Sequence, residues 1–133
     1  MGVIFDTSVL IALERASSRV DKFIQGRENE PFGISVITVS ELLHGVYRTD
    51  SEKRRIIREA FVEKMIEVFP VFPFDLSAAK IYARIRASLA KRGRIVGAHD
   101  LIIAATCIST GYFLATLDRR DYSLIEGLEV TGF

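Results

Sequence analysis

Four acidic residues that lie far apart along the 133-residue chain share similar local settings. Asp6 and Asp118 each follow a short apolar run. Glu41 comes soon after a third run, and Asp100 opens an apolar helical segment. Unbroken apolar runs of this length are typical of strands buried on both faces of a parallel sheet. The carboxyl ends of such strands lie along one edge of the sheet, so we expect the four carboxylates to meet there.

Several carboxylates close together at one sheet edge would favour the binding of a metal cation. Each one alone is readily explained as a helix cap, because free N–H groups and the helix dipole stabilise an acid at a helix N-terminus. Several carboxylates within a few ångströms repel one another, and one would stay protonated unless a cation were present. Such oxygen ligands suit Mg²⁺ and also Mn²⁺. A divalent ion held there lowers the pKa of a bound water and offsets charge on a phosphodiester, so the set predicts a site for phosphodiester hydrolysis.

Four motifs give the chain a family resemblance that covers nearly its whole length. They are Val3-Ile-Phe-Asp6-Thr-Ser, Val39-Ser-Glu41-Leu-Leu, Asp100-Leu-Ile-Ile-Ala-Ala105 and Thr116-Leu-Asp118. With these motifs the sequence resembles a PIN-domain ribonuclease, and more narrowly the VapC-like toxin of a type II toxin–antitoxin system. The resemblance implies metal-dependent cleavage of RNA by an activated water. It also implies that Asp6 and Asp100 bind the metal ion directly, and that Glu41 and Asp118 bind it directly or through water.

The same resemblance implies a set of supporting residues. Hydroxyl groups of Ser8 and Thr116 would support the carboxylates by hydrogen bonds. Family members often carry a second acid and an aromatic residue after the fourth acid, and Asp121 followed by Tyr122 fits that pattern. Asp121 would then share or replace the role of Asp118.

Partners follow from the resemblance as well. Besides the RNA substrate, it implies a small cognate antitoxin, one segment of which fills the cleft, and a homodimer. Apolar helix faces near residues 39–47 and 56–61 are candidates for either interface, although core packing explains much of them.

The bulk composition indicates one domain over residues 1–133 and no membrane partner. Hydrophobic residues make up 49% of the chain, yet no apolar run approaches the roughly 18 residues of a membrane helix. No basic region followed by an apolar stretch marks a secretory signal at the N-terminus. The single Cys107 is expected to be a buried thiol in a reducing cytoplasm. A net charge of +1 excludes a strong global attraction to nucleic acid.

Strands that alternate with helices predict an α/β class, a three-layer α/β/α PIN-like fold with a mostly parallel central sheet of four to five strands. The first strand is predicted to be central. The predicted strands cover residues 3–5, 32–37, 68–74, 112–115 and 129–131, with the third and the last at the sheet edges.

The predicted helices begin at capping residues and end at glycines. Thr7 or Ser8 would cap a helix that runs to about Ala16, and Thr38 would cap the helix that carries Glu41 in its first turn. Four further helices are predicted over residues 20–25, 51–68, 76–92 and 101–108, and the last of these is apolar enough all round to be buried.

Basic residues offer a second kind of site. Arg119 and Arg120 flank Asp118 and are predicted to bind RNA phosphates beside the metal. A larger basic group near the end of one helix is equally well explained as a solvated face or as a phosphate-binding surface; it comprises Arg84, Arg86, Lys91, Arg92 and Arg94. His44 lies three residues after Glu41 but is expected to be structural or exposed, because one such pair is too few for a carboxylate-bridged metal site. His99 precedes Asp100 but is not expected to act as a base, because adjacent helical residues point about 100° apart.

Two other classes of protein also gather carboxylates at strand ends. A receiver-like phosphoacceptor module would have an acidic doublet after the first strand and a lysine at a late strand end, where this chain has Thr7 and Thr116. An aspartate-nucleophile phosphatase would have a second aspartate in place of Ser8. A third alternative is a PIN fold that binds RNA without cleaving it, and metal affinity would separate it from a nuclease.

Overall fold

The structure is a computed structural model and describes residues 2–15 and 18–132. Its strands are β1 (Val3–Phe5), β2 (Phe32–Ser35), β3 (Val71–Phe72), β4 (Phe113–Ala115) and β5 (Val130–Thr131). Its helices are α1 (Thr7–Glu14), α2 (Ser18–Ile24), α3 (Val36–Tyr47), α4 (Glu52–Val68), α5 (Leu76–Lys91) and α6 (Ala98–Thr110), with one 3₁₀ turn over Tyr122–Leu124.

The five strands form one parallel sheet in the order β3-β2-β1-β4-β5. The central position of β1 and the edge positions of β3 and β5 confirm the sequence prediction. In the register of the sheet, Phe5 lies beside Ile34 on one side and Ala115 on the other. The chain therefore leaves all three inner strands at the same edge, and the next residues are Asp6, Ser35 and Thr116.

Two apolar clusters cover the two faces of this sheet. Ile4 and Leu114 pack with the buried side of α5 and α6. Val3 and Phe5 point the other way and pack with α1 and α2. This alternation within strands only three residues long makes the three-layer α/β/α arrangement, which confirms the predicted fold class.

Several helix boundaries confirm the sequence prediction. Asp75 caps α5 by accepting a hydrogen bond from the Ala78 N–H, with Oδ1 and N 3.0 Å apart. Gly111 ends α6 with φ +76°, a left-handed conformation that glycine adopts without a steric penalty. As predicted, α6 is largely buried, over Leu101 and over residues 103–107. Across the described residues, no helix combines the length and apolarity that crossing a membrane requires.

The predicted start of α3 is wrong. The second strand ends at Ser35 rather than at residue 37, and the Ser35 hydroxyl accepts a hydrogen bond from the Ile37 N–H. Once Ser35 is the cap, Thr38 lies inside the helix, where it is fully buried. Glu41 is consequently in the second turn of α3 and not in the first.

The predicted cap of α1 is also wrong. The cap is Asp6 itself, and its Oδ1 accepts a hydrogen bond from the Val9 N–H at 3.3 Å. Thr7 and Ser8 occupy the first two helical positions, and this leaves their hydroxyl groups available for contacts with other segments. The helix ends at Glu14; the predicted end at Ala16 lies outside the described residues.

Candidate active site

Asp6 is the most enclosed carboxylate of the set, with only 4% of the residue exposed. Its Oδ1 accepts a hydrogen bond from the Ser8 hydroxyl and its Oδ2 accepts one from the Thr116 hydroxyl, both at 2.5 Å. Each hydroxyl oxygen also accepts a hydrogen bond from a backbone N–H. Ser8 accepts from Leu117 at 3.2 Å, and Thr116 accepts from Asp118 at 2.9 Å. These contacts join the ends of β1 and β4 around one buried carboxylate.

Asp100 lies in the first turn of α6 and is half-buried. Its Oδ1 accepts a hydrogen bond from the hydroxyl of Tyr122 at 3.1 Å. The Tyr122 side chain is almost completely buried, so its ring fixes the position of the hydroxyl that holds Asp100. The Oδ2 atom lies 4.0 Å from the point where a Cβ would stand on Gly97. A helix N-terminus thus brings a second carboxylate to the sheet edge.

Glu41 is held at both oxygens by residues from other helices. Its Oε1 accepts a hydrogen bond from the Thr7 hydroxyl at 2.6 Å, and its Oε2 lies 3.2 Å from Nδ1 of His99. Thr7 belongs to α1 and His99 to α6, so Glu41 connects three helices next to Asp100. Glu41 lies one turn further along α3 than predicted, and its long side chain still brings the carboxylate near Asp100.

Asp118 and Asp121 lie in the loop after β4. Asp118 is exposed, and its Oδ1 accepts the Arg120 N–H at 3.4 Å. Asp121 is half-buried and precedes the 3₁₀ turn that carries Tyr122. The guanidinium group of Arg119 lies against Gly132.

Electrostatic coupling shows that these carboxylates share one region. Burial raises the pKa of Asp6, the charge of Asp100 raises it further, and the hydroxyl donors oppose that shift. Burial also raises the pKa of Asp100, with added repulsion from Glu41, Asp121 and Asp118, while the Tyr122 hydroxyl opposes it. The five carboxylates therefore lie in one region of the molecule, where Asp100 interacts with each of the other four.

The donor set fits a hard divalent ion. All five carboxylates offer oxygen ligands, and a cation would relieve the burial and repulsion that raise the pKa of Asp6 and Asp100. In residues 2–15 and 18–132, no three acidic, histidine or cysteine side chains are already arranged closely enough to enclose an ion. Water or a phosphate oxygen would complete the coordination shell of Mg²⁺, which keeps several waters in most protein sites.

Three residues at this site have contacts that the sequence analysis did not assign. The sequence predicts Thr7 as a possible helix cap, gives His99 no role as a base, and includes Tyr122 only as the aromatic residue after Asp121. Each donates to, or lies against, a carboxylate brought from another part of the chain. Thr7 and His99 are polar residues next to Asp6 and Asp100 in the sequence, and this is the signal that could have identified them. Their partners, however, depend on helix packing.

Comparison with known proteins decides the family. The PIN domain family model matches residues 3–126, which is nearly the whole chain. This chain is a PIN-domain protein. Its relatives place the PIN domain in the VapC group: it is 41% identical over 133 residues to Ribonuclease VapC1 of Rickettsia felis, covering 98% of this chain and 95% of that protein.

Solved structures agree with the fold of this PIN domain. The DNA-bound VapBC complex of Salmonella typhimurium contains a chain with a TM-score of 0.87 and 26% identity, covering 99% of this chain and 98% of that one. The VapBC2 complex of Rickettsia felis, bound to a DNA fragment from its promoter, gives a TM-score of 0.89 with coverage of 100% and 99%. Its identity of 19% makes that second likeness one of fold alone.

Proposed function

We propose that this PIN-domain chain is a Mg²⁺-dependent endoribonuclease and the toxin of a toxin–antitoxin pair. The observation that carries the proposal is the convergence of five carboxylates at one sheet edge, in a chain 41% identical to a protein named as a ribonuclease. PIN-domain VapC nucleases generally depend on divalent metal ions. Mg²⁺ is the proposed ion and Mn²⁺ an acceptable substitute, because both prefer oxygen ligands.

The proposed metal ligands are assigned by how deeply each carboxylate is buried. Asp6 and Asp100 would bind the ion directly, whereas Glu41 and Asp118 would bind it directly or through water. When bound, a divalent ion lowers the pKa of the attacking water and offsets negative charge on the phosphate. Asp121 would share the role of Asp118, since both act on the charge of Asp100.

The supporting residues hold the carboxylates in place for this reaction. The hydroxyls of Ser8 and Thr116 each donate to one Asp6 oxygen, and Oδ1 also accepts the Val9 N–H, which leaves a lone pair on Oδ2 for a ligand. These donors also favour the ionised form of Asp6, the form that binds a cation. Arg119 and Arg120 would contact RNA phosphates beside the acidic cluster.

The partners are proposed on the same basis. The neighbouring structures are VapBC toxin–antitoxin complexes, which supports an antitoxin as the protein partner. We expect the protein to form a homodimer. We also expect a cytoplasmic location, because RNA is present there and the buried free thiol of Cys107 would stay reduced.

The test is cleavage of total RNA by the wild type and by Asp100→Asn, with Mg²⁺, Mn²⁺ or EDTA. The proposal expects metal-dependent cleavage by the wild type, at least 100-fold slower cleavage by the variant, and no cleavage in EDTA, because a ligand is lost. Asp50→Asn, at an exposed aspartate elsewhere, is the matched control. Cleavage by the wild type and by Asp100→Asn at equal rates that EDTA does not lower would falsify the metal assignment. RNA binding without cleavage under every condition would support the binding-only alternative, and sequenced RNA ends would define the target.

A further inference from the structure

A groove of about 610 Å³ lies between the C-terminal half of α5 and the beginning of α6. Its apolar base includes Leu89 and Leu101, which are both buried. Tyr82 and Arg86 from α5 line one side, and Arg94 and Ile95 from the connecting loop line another. The volume is in the range of small-ligand pockets, about 300–1,000 Å³, and so is large enough for a nucleotide.

The groove opens directly beside the carboxylate cluster. Ala98 and Leu101, which line it, flank Asp100 in the first turns of α6. The Oδ2 atom of Asp100 lies 4.0 Å from the point where a Cβ would stand on Gly97, and Gly97 stands between Val96 and Ala98, which both line the groove. An RNA strand bound at Asp100 would therefore pass next to residues that line the groove.

The charge of the groove is complementary to a nucleic acid. Its lining contains two arginines and no acidic residue. In the described part of the chain, the guanidinium groups of Arg86 and Arg94 form no ion pair and no hydrogen bond with another protein group. Phosphates approaching an acidic site are repelled unless cations nearby compensate, and two unpaired arginines supply that compensation.

The structure divides the basic group of the sequence analysis into two surfaces. Arg84 and Arg92 line a different groove, which also contains Glu126. There the Arg92 Nη2 donates a hydrogen bond to the Leu124 carbonyl oxygen at 2.7 Å. Arg92 thus has a structural role that Arg86 and Arg94 lack, and the Arg84 surface provides an internal control.

Apolar and aromatic groups in the groove suit a base. The Tyr82 ring is half-buried and is held edge-on against Phe74, with ring centres 5.7 Å apart. Ile95 is 92% exposed and presents an aliphatic side chain at the edge of the groove. Unstacked bases of single-stranded RNA bind to such aromatic and apolar surfaces beside arginines.

We propose that this groove binds one nucleotide of single-stranded RNA next to the scissile bond. Arg86 and Arg94 contact its phosphates, and its base lies between Tyr82 and Ile95. The assignment rests on the proposed function for the position of the scissile bond, but binding itself does not depend on cleavage.

The first test is binding of a fluorescently labelled single-stranded RNA, measured by anisotropy in EDTA over a range of salt concentrations. The double variant Arg86→Gln/Arg94→Gln is expected to weaken binding by about 10-fold at low salt and to reduce the salt slope by about 1.4, since each phosphate contact on a single strand contributes about 0.7. Arg84→Gln, in the neighbouring groove, is expected to leave binding within about twofold of the wild type.

A second variant separates base contact from phosphate contact. Tyr82→Leu keeps an apolar side chain but removes the ring, so binding is expected to weaken about fivefold with an unchanged salt slope. Wild-type affinity and slope in the double variant would overturn the proposal, as would a wild type that binds no RNA. A double variant that loses only self-association or antitoxin binding would identify a protein interface instead, which also overturns it.

Cleavage assays on the same proteins distinguish the two proposals. If the wild type cleaves RNA and the double variant binds RNA normally, the groove assignment fails and the proposed function stands. If RNA binding depends on Arg86 and Arg94 but no condition gives cleavage, the groove assignment stands and the proposed function fails. If both hold, the double variant raises KM about 10-fold and leaves kcat within about twofold.

Discussion

Replacing Asp100 by asparagine removes a negative charge from the carboxylate cluster while keeping the size of the side chain. The asparagine Oδ1 can still accept the Tyr122 hydroxyl, so the contact with the 3₁₀ turn survives. The charges of Glu41, Asp118 and Asp121 act on Asp100, and the charge of Asp100 acts on Asp6. Without a metal ion, their repulsion opposes folding, and the substitution should therefore stabilise the metal-free protein.

The size of this effect follows from the half-buried position of Asp100. Two like charges about 6 Å apart repel by about 3 kcal/mol at an effective dielectric constant of 20 and by about 0.7 kcal/mol in water. We expect relief of about 2 kcal/mol, from which the lost interaction with the α6 dipole subtracts about 0.5–1 kcal/mol. The net gain of about 1 kcal/mol corresponds to a Tm increase of roughly 3–5 °C for a domain of this size.

Saturating Mg²⁺ or Mn²⁺ should make the wild type more stable than Asp100→Asn, which reverses the order expected without metal. An ion at 100 times its Kd stabilises the wild type by about 2.7 kcal/mol, or roughly 10 °C. Asp100→Asn lacks a proposed ligand and should gain much less. The assay is thermal unfolding of both proteins at pH 7.5 in EDTA and in increasing metal, with Asp50→Asn as a charge-matched control. A variant that is less stable than the wild type in EDTA, or that gains equally from metal, would refute the reasoning.

Three further predictions concern residues around and away from the cluster. Tyr122→Phe removes the hydroxyl that holds Asp100, and cleavage by a folded variant should fall about 10-fold, measured as kcat with circular dichroism as the folding control. The pKa values of Asp6 and Asp100 are raised above 3.8, so between pH 3.8 and the raised values these two carboxyls hold more protons in the folded metal-free protein than in the unfolded chain. Their contribution to stability, measured by urea unfolding, should therefore fall as pH rises through that window. Saturating Mg²⁺ should flatten that fall. Gly111→Ala forces alanine into a left-handed conformation at φ +76°, and should cost about 1–2 kcal/mol in denaturant unfolding with unchanged kcat.

Local pattern was sufficient to predict most of the fold. A short apolar run followed by an acid predicted where β1 ends, and Asp75 and Gly111 marked helix ends correctly, because capping depends on groups within a few residues. The same reasoning was wrong for α3. Ser35 and Thr38 are both good caps, and the apolar residues between them fit a strand as well as a helix.

The basic residues show a different limit. Arg84 and Arg86 are two positions apart on α5, and a helix turns about 200° over that spacing. They therefore face different grooves, one with Arg92 and one with Arg94. The two-residue spacing in the sequence already places Arg84 and Arg86 on different sides of α5. The packing of α5 against α6 decided which of those two sides lies near Asp100.

The sequence by itself determined which acids stand at the ends of strands and helices, because apolar periodicity and capping are set by near neighbours. It also carried the motifs that mark a PIN domain. Only the tertiary structure decided which side chains hold the acids: Thr116 is 110 residues from Asp6, and Thr7 is 34 residues from Glu41. Such contacts depend on how helices pack across a sheet, because burying an acid requires donors that its own segment does not supply.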